Sequence, residues 1–172
     1  MSVTEDGRFT GYASLFGRTD LGRDRVAPGA FGEALRRRGA AGIRMLFQHD
    51  PTRPIGVWEA VEEDGRGLRV TGRLAVASSA GSEIMALMRA GAVDGLSIGF
   101  RTVRAERDRR SNVRTITQAD LWEISVVTFP MLPDARVAPI APAGRPEPAL
   151  RSGPILAGRL RTLTRQLNQR SS

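Results

Sequence analysis

Apolar and polar positions alternate with a period of two through much of the chain. In residues 67–76, GLRVTGRLAV, Leu68, Val70, Leu74 and Val76 fall on one side and Arg69, Thr71 and Arg73 on the other, the pattern of a half-buried strand. The preceding IGVWEAVEED reads as its hairpin partner, joined at Asp64-Gly65. RFTGYASLF, residues 8–16, suits an opening strand. IRMLFQH reads as another, with Ile43, Met45, Phe47 and His49 pointing to one side. GLSIGFRTVRAE and LWEISVVTF are two long strands, with RRSNVRTITQ between them.

The period changes twice in this body. After the polar loop GRTDLGRDRVAPG, a short helix is predicted from about Ala30 to Arg38, ending at Gly39. From Ser79 to about Ala90, Ile84, Leu87 and Met88 recur at helical spacing. Ser78 or Ser79 can cap that helix, Glu83 lies in its first turn and Gly91 closes it. The order predicts a mainly β, β-rich α+β fold: a small antiparallel bent-sheet barrel with flanking helices. Residues 1–137 form that domain. Residues 138–154 read as a Pro/Ala-rich linker containing APAGRPEPALRSGP. Residues 155–172 read as a basic amphipathic helix, striped by Leu156, Leu160, Leu163 and Leu167. No internal repeat is visible.

Composition narrows the function classes. An apolar share of 41% in 172 residues supports one real core. No apolar run approaches the roughly 18 residues of a membrane span, and MSVTEDGRFT lacks a signal peptide's apolar stretch, so the expectation is a soluble, non-secreted protein. The absence of cysteine excludes disulfides, thiolate zinc sites and cysteine nucleophiles. With His49 as the single histidine, a histidine-based metal centre is disfavoured, and no cofactor is expected.

The net charge of +8 points toward an acidic partner. Yet every basic residue is arginine, as in a GC-rich genome, and the excess is localised. From Val137 onward six arginines face one acid, Glu147, which accounts for five of the eight charges. The nine Phe, Trp and Tyr residues are not interleaved with arginine in a repeating way, so a nucleic-acid-binding barrel is disfavoured.

Three residues carry candidate chemistry. Ser97 lies on a strand between Gly95 and Gly99, facing away from Leu96, Ile98 and Phe100. Flanking glycines leave a hydroxyl accessible and backbone amides free, which a nucleophilic serine needs; they equally suit a strand that simply bends. Glu123 shares a face with Leu121, Ser125, Val127 and Phe129, opposite Trp122, Ile124 and Val126. A carboxylate among such neighbours needs a cation or a donor, unless it turns to solvent from an edge strand. His49 ends an apolar strand beside Asp50 and a Pro-rich turn, where a surface polar residue is the plain alternative.

The segments GYASLFG, VAPGAFGEAL, LFQHDPTRPIG, GLSIGF and LWEISVVTFPMLPDARV resemble, in this order and spacing, the prohead (capsid maturation) proteases of tailed bacteriophages, across residues 8–137. That family is similar to the herpesvirus assembly proteases, whose triad is Ser-His-His on a barrel. The resemblance implies that His49 and Ser97 are the catalytic pair. A second histidine is absent here, so the third member differs; Glu123 in LWEIS is the best match, with Asp50 and Asp94 as alternatives. On a strand, Asp50 would point to the face opposite His49.

The resemblance further implies a serine endopeptidase that processes major capsid protein or its scaffolding segment. It would act in the cytoplasm of a bacterial host, inside the assembling procapsid. The oxyanion donors are not readable from the sequence; amides near Ser97 and Gly99 are candidates. A homo-oligomer is left open. The alternative is a non-enzymatic scaffold or binding module on the same fold. The leucine stripe and the arginines around it suggest, separately, that the C-terminal helix docks on a partner, a capsid scaffold segment being the favoured target, with a dimerisation helix or a frayed end together as the equal alternative.

Overall fold

A computed structural model describes residues 3–139. Seven strands and two helices follow in the order β1 (Arg8–Leu15), β2 (Asp24–Val26), α1 (Gly32–Arg38), β3 (Arg44–Phe47), β4 (Asp50–Glu63), β5 (Gly67–Leu74), α2 (Ser79–Arg89), β6 (Gly95–Arg107) and β7 (Arg114–Val127). Strand order in the single sheet is β1-β5-β4-β3-β7-β2, with β6 on the other edge of β7. The expected mainly β architecture with flanking helices is therefore what the chain adopts. It is not purely antiparallel, since β2 and β3 both run parallel to β7.

The sheet curls until its ends meet. Residues 135–138 lie between β1 and β6. Leu96 N donates to Ala135 O at 2.9 Å, Tyr12 N to Arg136 O at 3.1 Å, Val137 N to Asp94 O at 2.9 Å and Ala138 N to Thr10 O at 2.8 Å. The hydrogen-bonded ring is thereby closed, which removes the exposed edges an open sheet would present. Gly11 is placed at this seam by necessity, because a Cβ there would stand 2.5 Å from Arg136 O. The interior is filled by Phe9, Met45, Ile55, Leu68, Leu96, Ile116, Leu121 and Ile124, each 2% exposed or less. At full burial each contributes about 1.5–3 kcal/mol.

Local signals place the helices. Ser78 caps α2, its Oγ accepting from Gly81 N at 3.0 Å. Gly91 then takes φ +74, with Gly91 N on Met88 O and Ala92 N on Leu87 O, so a glycine in left-handed backbone ends the helix. The last turn of α1 is fixed to β7 by the buried Asp120, which accepts from Arg38 Nη2 at 3.0 Å and from the Trp122 indole at 2.9 Å. These donors, Trp122 first, hold the Asp120 carboxyl down at about 2.

Several expectations need correction. The polar loop contains β2, and RRSNVRTITQ includes the first part of β7, which begins at Arg114. Val76 lies beyond β5 and is 37% exposed, whereas Leu68, Val70 and Leu74 are buried as expected. The linker and the C-terminal helix read from the sequence lie outside the described residues, apart from Ala138 and Pro139.

Candidate active site

β3 stops at Phe47, two residues earlier than its apolar pattern suggests. Gln48 and His49 form the connection to β4, and Phe47 pairs with Asp50 across it. Both connecting residues have positive φ, +54 and +60. Two-residue hairpin turns of this kind usually take Asn-Gly, because other side chains cost about 1–2 kcal/mol in left-handed backbone. His49 is thus a turn residue, not the end of a strand aligned with Ile43, Met45 and Phe47.

β7 holds the turn in this conformation. Gln48 N donates to Val126 O at 3.0 Å, and its side-chain Nε2 donates to Thr128 Oγ1 at 2.7 Å. His49 N donates to Ser125 Oγ at 3.1 Å. Backbone strain that neighbouring groups over-determine is a recurrent feature of functional sites.

A register shift prepares β7 for its part. Glu123 pairs with Gly99 while Leu121 pairs with Phe100, so Trp122 is an extra residue in the ladder. The shift changes the alternation. Leu121 points into the core, and so do Ile124 and Val126, whereas Trp122 is 51% exposed. Glu123 and Ser125 face the other way. Glu123 is therefore not grouped with Leu121, as simple alternation suggests; it lies against polar partners.

Those partners define the site. His49 Nδ1 and Glu123 Oε1 are 2.6 Å apart, and Ser125 Oγ donates to Glu123 Oε2 at 2.7 Å. The Glu123 hydrogen bond raises the His49 pKa above its ordinary 6.5, with half-burial opposing it. Gly99 makes room for the carboxylate, because a Cβ there would meet Glu123 Oε1 at 2.0 Å.

Ser97 pairs directly with Ser125 across β6 and β7, so the two side chains share the face that carries Glu123. Ser97 is 4% exposed and, among the described residues, its hydroxyl has no hydrogen-bond partner. A cleft reaches it, lined by Ser14, Leu15, Val26, Phe100 and Met131. The bond between a nucleophile and its base often tightens only when substrate is bound.

The alternatives to Glu123 are engaged elsewhere. Asp50 Oδ1 accepts from Thr52 N at 2.8 Å and from Thr52 Oγ1 at 2.6 Å, while Asp94 pairs with Arg136. Among the described residues no group of three His, Cys, Asp or Glu could hold a metal ion, and no helix is long and apolar enough to cross a membrane. Two participants escaped the sequence reading. Ser125 was signalled only by its position two residues after Glu123, and Gln48 by nothing local.

The sequence profile described as Caudovirus prohead serine protease matches residues 1–146. The prohead protease of Enterobacteria phage HK97 is 36% identical over 143 residues, covering 80% of this chain and 63% of that protein. The prohead protease of Escherichia phage T5 is 33% identical over 91 residues, covering 53% of this chain and 42% of its own length. The chain thus spans less than two thirds of either relative. Among solved structures, the bacteriophage T4 capsid assembly protease superimposes with a TM-score of 0.59 at 14% identity, over 72% of this chain and 82% of that one. That likeness concerns the fold alone. The KSHV protease, at TM-score 0.48 and 10% identity over 76% of this chain and 63% of that chain, is too distant to bear on the site.

Proposed function

The chain belongs to the caudovirus prohead serine protease family, and from that premise we propose that it is a serine endopeptidase. Its substrate is the major capsid protein or a scaffolding segment, cut during prohead maturation. The observation that carries this reading is the imidazole of the only histidine, held at Nδ1 by a carboxylate 2.6 Å away on the sheet face that bears Ser97.

Each residue takes one role. Glu123 accepts a hydrogen bond from Nδ1–H and holds the proton on that nitrogen, which leaves the Nε2 lone pair as the base. Ser97 Oγ attacks the scissile carbonyl carbon and gives its proton to Nε2. The tetrahedral intermediate collapses, the C–N bond breaks, and the imidazolium returns the proton to the leaving amine. Water then attacks the acyl-enzyme by the same route in reverse, freeing the new carboxylate and restoring Ser97. Glu123 stabilises the imidazolium in both halves. Amides next to Ser97 and Gly99 are the proposed oxyanion donors.

The test is coexpression with the cognate capsid protein. A shortened capsid product with the intact chain, absent with Ser97→Ala, supports the reading. Equal processing by Ser97→Ala overturns it, and no processing by the intact chain would favour a non-enzymatic assembly module.

A further inference from the structure

Ser125 is 0% exposed, and buried hydroxyls on strand faces usually bond to nearby backbone. This one does something more specific. It accepts from the His49 amide at 3.1 Å and donates to Glu123 Oε2 at 2.7 Å. The other carboxylate oxygen lies 2.6 Å from His49 Nδ1. Main chain and side chain of one histidine are thus joined to one carboxylate through a single hydroxyl, in a closed ring of three hydrogen bonds.

Proton directions in this ring are forced. An amide is only a donor, so the Ser125 oxygen must accept from His49 N. Its one proton is then committed to Glu123 Oε2. Fully buried, with its oxygen already accepting from the His49 amide, Ser125 is not presented as a second nucleophile, although it lies directly opposite Ser97. With Oε2 occupied, Oε1 is left for the imidazole, and a carboxylate oxygen selects the tautomer with its proton on Nδ1. The strained turn explains the need: Gln48 and His49 both occupy left-handed backbone, and an unrestrained connection would relax and carry the imidazole away.

We propose that Ser125 is the positioning residue of the site, fixing the His49 main chain and the Glu123 carboxylate relative to one another so that the imidazole presents Nε2 to Ser97. The proposal rests on the reading of Ser97 and His49 as a catalytic pair. Gln48 secures the same turn from its other side, by pairing with Thr128. It does not touch the carboxylate, so it cannot set the angle between carboxylate and ring. Among the described residues, Ser125 alone hydrogen-bonds both.

The single histidine makes the test direct, because every imidazole signal in a nuclear magnetic resonance spectrum is that of His49. On the full chain, the His49 amide should exchange slowly in the wild type, although it lies in an exposed turn. In Ser125→Ala that protection should be lost and the imidazole midpoint should move down toward 6.5, as the released carboxylate swings off Nδ1. Turnover of a capsid-derived peptide should fall by about tenfold or more in kcat with KM little changed, since ring orientation serves the chemical step. Ser125→Thr, which keeps the hydroxyl, should restore most of the rate and the titration.

Fast exchange of the wild-type His49 amide would overturn the proposal. So would a Ser125→Ala protein with unchanged titration and kcat. Should Ser125→Ala fail to fold, the wild-type exchange rate and the threonine variant decide alone. Persistent cleavage by Ser97→Ala would instead remove the catalytic reading, while leaving the exchange and titration results on Ser125 to stand on their own.

Discussion

In the proposed mechanism His49 is the general base, which must be neutral to accept a proton, and Glu123 biases it toward its charged form by raising its pKa above 6.5. Cleavage should therefore rise with pH through a midpoint above 6.5, because the competent form gains population as the imidazole loses its proton. Glu123→Gln removes the bias, so the midpoint should drop toward 6.5. The maximal rate should fall about tenfold or more with the imidazolium less stabilised. A pH–rate profile with an unmoved midpoint would show that another group controls the limb. Asp50→Asn should do much less, since Asp50 is occupied by Thr52. Ser97→Ala and His49→Ala should each abolish cleavage and retain the wild-type circular dichroism. Their double variant should be no worse than either, as members of one unit are not additive. The sequence exposed these three residues by type and by their resemblance to a family pattern. It hid Ser125, because a serine on a strand has no local mark of its partners.

Elements supply the geometry that residues alone lack, and here the reach of the sequence was uneven. α2 and β5 were readable because caps and period-two alternation are local. β2 was not: three residues, Asp24–Val26, become a strand only by pairing parallel to β7, ninety positions later. The His49 turn was invisible for a similar reason, since Gln-His is no hairpin signal and its positive φ is imposed by bonds from β7. The bulge at Trp122 matters most, since it switches the phase that points Glu123 away from the core. Gly99 tests this arrangement. Its backbone has no left-handed φ, and the three nearest atoms an added Cβ would strike are Glu123 Oε1, Cδ and Cγ, at 2.0, 2.7 and 2.8 Å, so it is this side chain and not backbone that must turn aside. Gly99→Ala should therefore fold with a stability change within about 1 kcal/mol, alanine being favoured over glycine in strands by up to that amount. Its activity should nevertheless fall as far as that of Glu123→Gln, because the carboxylate must leave Nδ1. A melting curve and a cleavage assay on one sample separate the two effects, and an active Gly99→Ala would mean that the carboxylate position is dispensable.

At the scale of the molecule, the site depends on closure of the ring at a point remote in sequence. The four bonds of residues 135–138 end at Leu96 and Asp94 on one side and at Thr10 and Tyr12 on the other, so the seam that completes the sheet also secures the strand start that carries Ser97. Ala135 and Val137 are buried there, at 0% and 7% exposure. Four backbone hydrogen bonds at about 0.5–1.5 kcal/mol each, with a buried valine at about 1.5–3, represent several kcal/mol. That is a large part of the roughly 5–15 kcal/mol available to a domain. A chain ending at Pro139 keeps every one of these contacts and should match the full chain in thermal midpoint and in cleavage of a short peptide. A chain ending at Asp134 should melt far lower or not fold, and should lose cleavage together with its fold. Gly11→Ala probes the same seam without shortening the chain. Its Cβ would press on the Arg136 carbonyl, which is backbone and cannot swing aside, so the variant should lose stability and, through Leu96, activity in parallel. That parallel loss is the opposite signature to Gly99→Ala, where activity alone should fall. Wild-type cleavage by a Gly11→Ala protein of lowered thermal midpoint would show that the seam holds the fold without governing the nucleophile.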